Sequence, residues 1–292
     1  MNVLEKINMY AILKKNHEGD IMKRSVRLLS LLLGVCMILT MTSCQLGERK
    51  KPKKNKTYEV FFIGNSYTYC NDLPAIFKSI AEEDGYEVNI TSVLSGGYTL
   101  TSFANPEDPK GQEVKAAFES KEFDFVIIQE QSQRPVLDPA KFFEGARSIV
   151  KMVRKNGAVP IFYSTWGRRE GEASLNQLLW TNESMTWDLA ASYSAIAKEL
   201  DAEVAHVGLG FYDVYTSSAD INLYDKDGSH PSVEGSYLAA YILYSRVFMA
   251  NPKDLTYNGL LKDEDAVILK EAAYRAVYET PEIPAEYVRE AF

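Results

Sequence analysis

Five short apolar runs punctuate the C-terminal four-fifths of the chain: Glu59 to Ile63, Val88 to Val93, Phe123 to Ile128, Val159 to Tyr163 and Val204 to Val207. Their Val, Ile, Phe and Tyr content over so few residues predicts strands buried on both faces. Between them, Leu73 to Glu83, Pro139 to Lys155 and Glu183 to Leu200 carry apolar residues at helical spacing, and Asn156-Gly157 supplies a stop signal. Two further helices are expected at Ser232 to Met249, apolar around most of its circumference, and at Asp263 to Tyr278, before a Pro-containing tail. Strands alternating with helices in this way predict an α/β fold: a doubly wound, parallel sheet of about five strands with right-handed crossovers. No internal repeat interrupts the pattern.

The N-terminal fifth reads differently. From Met22 the chain runs Lys23-Arg24-Ser25-Val26-Arg27, then an apolar stretch from Leu28 to Thr42, then Ser43-Cys44. A basic segment, an apolar segment too short to span a bilayer comfortably and a small-residue cleavage context together form a signal peptide. Met41-Thr42-Ser43-Cys44 resembles a bacterial lipobox, which implies lipidation of Cys44 after cleavage and a membrane partner held through that lipid. The expected organisation is an upstream extension at 1–21, a lipoprotein signal peptide at 22–43, a basic flexible tether at 44–57 and a folded domain at 58–292, exported and anchored to a membrane of the cell envelope.

Charge sharpens that division. Positions 1–56 hold 12 of the 32 Lys and Arg but 4 of the 40 Asp and Glu, so the rest, with 20 and 36, carries a net −16. A domain so acidic is a poor nucleic-acid binder. The cysteines are Cys36, Cys44 and Cys70, which leaves the mature domain without a second thiol for an internal disulfide. Only His206 and His230 remain there, with no CxxC or HExxH spacing, so neither a metal nor another cofactor is expected. His206, inside a strand pattern, reads as a core histidine.

Three motifs fall after predicted strands, at the sheet edge where open α/β folds bind ligands: Gly64-Asn65-Ser66, Ser95-Gly96-Gly97 and Gln129-Glu130-Gln131-Ser132. A fourth, Asp227-Gly228-Ser229-His230, is expected at the same edge, in the loop after the fifth strand and just before the Ser232 helix. The spacing of Asp227 and His230 lets one carboxylate hold one ring nitrogen while the other faces Ser66. A hydroxyl becomes a good nucleophile when an oriented imidazole takes its proton and fixed donors bind the developing oxyanion.

In these blocks the chain resembles the SGNH hydrolases, also called GDSL esterases, over roughly Glu59 to Met249; the combination of Gly-Asn-Ser-Tyr-Thr, Gln-Glu-Gln-Ser and Asp-Gly-Ser-His-Pro is similar to an uncharacterised bacterial branch of that superfamily. The resemblance implies a flavodoxin-like fold and a serine hydrolase in which Ser66 is the nucleophile, His230 the general base and then acid, and Asp227 its orienting partner. It also implies an oxyanion hole built from the N–H of Ser66, Gly96 or Gly97 and a glutamine. That glutamine is Gln129 by analogy with Gln-Gly-Glu relatives and Gln131 by an ungapped strand alignment. The sequence departs from many relatives in having Asn65 where they have Asp, and a glutamine block in place of Gly-x-Asn-Asp.

The expected reaction is hydrolysis of an acyl ester, an acetyl ester on a carbohydrate above all, through acyl-Ser66. Trp166, at the end of the fourth strand, is a candidate to stack on a sugar at the site rim; a place in the core is its other reading. Thr68 stands where the nucleophile elbow of an α/β-hydrolase needs its last glycine, which argues against that class. Two alternatives remain: a glycosidase using Glu130 and Asp227 as paired carboxylates, and a carbohydrate-binding lipoprotein without catalysis.

Overall fold

Each apolar run lies in or next to a strand in the computed structural model, which describes residues 49–217 and 219–291. The strands are β1 (Thr57–Gly64), β2 (Glu87–Leu94), β3 (Phe125–Ile128), β4 (Val159–Ser164) and β5 (Glu203–His206). All pair in parallel, in the order β2-β1-β3-β4-β5. Alternation along β1 serves two cores. Val60 and Phe62 face the helices Leu73–Glu83, Val233–Phe248 and Asp263–Tyr278, while Phe61 and Ile63 face Leu100–Ala104, Pro139–Asn156 and Asn182–Glu199; all four are fully buried. The winding reverses between β1 and β3, so the loops leaving their carboxyl ends diverge and open a crevice. Ser66 follows one of these strands and Gln129 to Ser132 the other.

The five expected helices are present to within a residue or two of their ends. Pro139–Asn156 shows why: Asp138 accepts from the Lys141 N–H, Pro139 presets the first turn, and Gly157 ends the helix at φ +89°. Besides the single turns Ser66–Tyr69 and Arg134–Leu137, four helices carried too weak a signal to be read. Pro109–Ser120 buries only Gly111 and Val114. Leu100–Ala104 and Ala173–Leu178 are five and six residues long. Val207–Thr216 begins at the end of β5 and contains Gly208 and Gly210, which lower helix propensity. A β-carbon at Gly208 would stand 2.1 Å from the Thr165 carbonyl oxygen, so the glycine is needed for that helix to lie against the end of β4.

The boundary of the folded unit also differs from expectation. The chain from Lys51 onward forms one compact unit, so the last residues of the expected tether belong to the domain. The Lys53 N–H donates to the Tyr58 hydroxyl at 2.8 Å and Tyr86 donates to the Pro52 carbonyl at 3.1 Å. Lys54 pairs with Asp84 at 2.8 Å and Lys56 with Asp124 at 2.5 Å. Acidic groups beside the first strand offset the charge that argued for a loose segment. The upstream extension, the signal peptide and Cys44 lie outside the described residues.

Candidate active site

The nucleophile loop is built by close packing. A β-carbon at Gly64 would meet Thr68 Oγ1 at 2.5 Å and Gln129 Oε1 at 2.8 Å, so the strand can end here only on glycine. Asn65, 2% exposed, accepts from the Tyr67 N–H at 3.2 Å and donates to the Tyr98 carbonyl at 3.1 Å, which caps the helical turn Ser66–Tyr69 and ties it to the loop after β2. Ser66 is the first residue of that turn and half-buried.

The acid–base pair comes from a tight loop. Gly228 adopts φ +69°, and the Asp225 N–H closes the loop on the His230 carbonyl at 2.8 Å. Asp227 Oδ1 accepts the N–H groups of Ser229 and His230, both at 2.9 Å, leaving Oδ2 2.5 Å from His230 Nδ1. The other ring nitrogen, Nε2, lies 2.8 Å from Ser66 Oγ. Partial burial pushes the Asp227 carboxyl up, but the hydrogen bonds from the His230 ring and from the two N–H groups outweigh it and hold the pKa below the usual carboxylate range. The His230 ring also meets Tyr67 edge-on, centroids 5.5 Å apart, and the Tyr67 hydroxyl lies 2.6 Å from Ser229 Oγ.

Opposite, Ser95 to Tyr98 make a turn closed by the Tyr98 N–H on the Ser95 carbonyl at 3.2 Å, with Gly97 at φ +70°. Among the described residues nothing accepts from the N–H groups of Ser66, Gly96 or Gly97. The Gln131 side-chain oxygen accepts from the N–H groups of Gln133 and Arg134, both at 2.9 Å, whereas its amide nitrogen has one long contact, 3.5 Å, to Ser132 Oγ. A cleft of about 740 Å³ opens beside Ser66 and His230, with Tyr69, Cys70, Asn71, Arg169 and Lys226 in its walls. Hydroxyl, imidazole and carboxylate in hydrogen-bonded series, beside unoccupied donors, can form and break an acyl-enzyme.

Among solved structures the chain is similar to an SGNH hydrolase from Slackia heliotrinireducens, with 31% identity and a TM-score of 0.59 over 67% of this chain and 100% of that one. The chain belongs to the SGNH hydrolase superfamily. Membership makes it a serine hydrolase of the carboxylic-ester class. A protein of the DUF4886 family from Bacteroides uniformis shares the fold at 15% identity and a TM-score of 0.66, over 80% of this chain and 100% of its own. Scans against protein-family models and against curated proteins return no match.

Three expectations for this SGNH hydrolase need correction. Gln129 is fully buried; its side-chain oxygen accepts from the Asn65 N–H at 2.8 Å and Thr68 Oγ1 at 2.9 Å, and its amide donates to the Glu130 carbonyl. It braces the nucleophile loop from behind and, sealed in the interior, is closed to an oxyanion in the cleft. Trp166 is fully buried too, sandwiched between Tyr67 at 4.5 Å and Phe211 at 4.0 Å, so it cannot stack on a sugar at the rim. Its Nε1 donates to the Ser229 carbonyl at 3.0 Å, placing it behind the catalytic loop as a support. Glu130, fully buried, accepts from the N–H groups of Leu100 and Gln131, which removes it from any glycosidase pair with Asp227. His206 ends β5 half-buried, its Nε2 3.5 Å from Ser194 Oγ; burial and the nearby Arg246 push its pKa down to about 4 and keep the ring neutral.

Proposed function

We propose that this SGNH hydrolase is an exported, lipid-anchored esterase that removes acyl groups, acetyl groups in particular, from a carbohydrate. The observation that carries the reading is the continuous chain from Ser66 Oγ through His230 to Asp227, at 2.8 and 2.5 Å. His230 Nε2 takes the Ser66 proton as the hydroxyl attacks the ester carbonyl, and Asp227 stabilises the imidazolium. The N–H groups of Ser66 and of Gly96 or Gly97, with the Gln131 amide, receive the oxyanion. His230 returns the proton to the leaving alcohol, then activates water against acyl-Ser66. The carbohydrate reading draws support from the open cleft, which carries the polar side chains of Arg169, Asn222, Asp225 and Lys226, and from Tyr69, which lines it 46% exposed and takes the role first given to Trp166. The lipid anchor draws support from the Met41-Thr42-Ser43-Cys44 pattern.

Hydrolysis of p-nitrophenyl acetate by the domain from Lys51 onward tests the chemistry. Ser66→Ala and His230→Ala should each lose about 10³-fold or more in kcat, as expected on removal of a nucleophile or its base. Three equal rates would end the proposal. Metabolic labelling with a palmitate analogue should mark the full-length protein and vanish in Cys44→Ala; label that persists removes the anchor.

A further inference from the structure

The turn that carries Ser66 has four residues, too few to hold itself in place. Its continuation has an uncommon backbone: Asn71 and Asp72 both adopt the left-handed conformation, at φ 54° and 53°, before the helix Leu73–Glu83 begins. Left-handed conformations strain L-residues, and asparagine is among the residues that tolerate them best. Here the conformation turns the Asn71 side chain onto the chain that follows His230. Its amide nitrogen lies 3.1 Å from the Pro231 carbonyl oxygen, 2.9 Å from that of Ser232 and 2.9 Å from Ser236 Oγ. Pro231 and Ser236 are buried, and among the described residues no other donor reaches the Pro231 carbonyl. One amide five residues after the nucleophile thus grips the backbone one and two residues after the base.

We propose that Asn71 is a positioning residue that sets the separation of Ser66 Oγ and His230 Nε2 by tying the nucleophile turn to the chain leaving the His230 loop. The inference rests on the esterase reading above. Asp227 and His230 share one loop and hold each other without Asn71. The link therefore governs where the pair stands relative to Ser66, and leaves the pair itself alone. The two left-handed residues are the local strain that aims the amide.

The test compares Asn71→Gly, which keeps the left-handed backbone and deletes the amide, with Asn71→Asp, which keeps size and conformation but turns carboxylate oxygens toward two carbonyls. With p-nitrophenyl acetate, kcat should fall about tenfold in the glycine variant and further in the aspartate variant, while KM stays within twofold. Phosphonylation of Ser66 by a fluorophosphonate should slow by the same factors. In the glycine variant, which adds no charge, the acidic limb of the pH profile should not move, because the base keeps its carboxylate. A kcat within twofold of the parent in either folded variant overturns the proposal. So does a rise in KM at constant kcat, which would make Asn71 a substrate contact, and so does failure of both variants to fold, which would make it a folding residue. A parent enzyme that neither hydrolyses the ester nor labels at Ser66 defeats the esterase reading instead.

Discussion

A glutamine sealed in the interior cannot meet a substrate, and this separates two residues the sequence left equivalent: Gln129 is fully buried and Gln131 is not. Gln129 and Gln131 stand two apart at the end of β3, a spacing that puts both on one side of an extended chain. What distinguishes them is the Asn65 N–H and Thr68 Oγ1, which arrive from a segment more than 60 residues away and occupy Gln129 alone. No local pattern encodes that. Gln131→Ala is therefore expected to lower kcat on p-nitrophenyl acetate by about 10², as on deleting one oxyanion donor, with a smaller loss of stability than Gln129→Ala because the Gln133 and Arg134 N–H groups it frees are only half-buried. Gln129→Ala leaves a buried N–H and a hydroxyl unpaired and should cost about 2 kcal/mol of stability, read from denaturant unfolding. A reversed pattern would return the oxyanion role to Gln129. Trp166 obeys the same logic: its place after β4 was legible, but burial against Tyr67 and Phe211 depends on chain partners at both ends of the domain. Ser66 was legible because its chemistry and its position after a strand pointed the same way, and Asp227 and His230 because of their spacing, although the helix Val207–Thr216 separates them from β5. Asn71 was not, since an Asn-Asp pair in a loop carries no signal of where its amide will reach.

Among the elements, the strands were the easiest to read because a parallel sheet covered on both faces demands continuous apolar residues; the short helices after β2 and β5 were the hardest because a few turns bury too little to show a period. One of these weak elements carries part of the site. The helix Leu100–Ala104 comes directly after the Gly96–Gly97 turn, and the Glu130 carboxyl binds its first N–H at 3.2 Å while accepting the Gln131 N–H at 2.6 Å. The two loops expected to hold the oxyanion are thereby joined by a single buried acid. Burial pushes the Glu130 pKa up, against those two N–H bonds and the charge of Arg134, to about 7. A carboxyl whose pKa is higher folded than unfolded stabilises the fold below its unfolded value, and the contribution is lost as pH rises through the folded value. Between about pH 4.5 and pH 8 the parent should therefore lose up to about 3 kcal/mol that Glu130→Gln keeps. The check is the difference in Tm between the two proteins across that range. A difference independent of pH would show that Glu130 titrates in the ordinary carboxylate range. Asp227 works in the opposite sense, since its lowered pKa stabilises the fold above the unfolded value and the effect fades on acidification.

At the scale of the whole molecule the governing fact is a charge asymmetry, a net −16 beyond residue 56 against the basic residues that precede it. Composition made the basic stretch look like a free tether, and the structure brings its last residues onto the acidic domain. Lys54 and Lys56 are half-exposed, so their pairs with Asp84 and Asp124 contribute little individually and are screened by salt. The Lys53 N–H to Tyr58 and Tyr86 to Pro52 hydrogen bonds are partly buried, worth about 1 kcal/mol each, and insensitive to salt. A domain begun at Thr57 should consequently be less stable than one begun at Lys51 by about 2 kcal/mol in low salt, a Tm lower by several degrees. Raising the salt to about 0.5 M should remove the ionic part of that difference and leave the hydrogen-bonded part, because the screening length then falls to a few ångströms. Equal melting temperatures at low salt would mean that residues 51–56 add nothing to the fold and that the tether extends to the first strand.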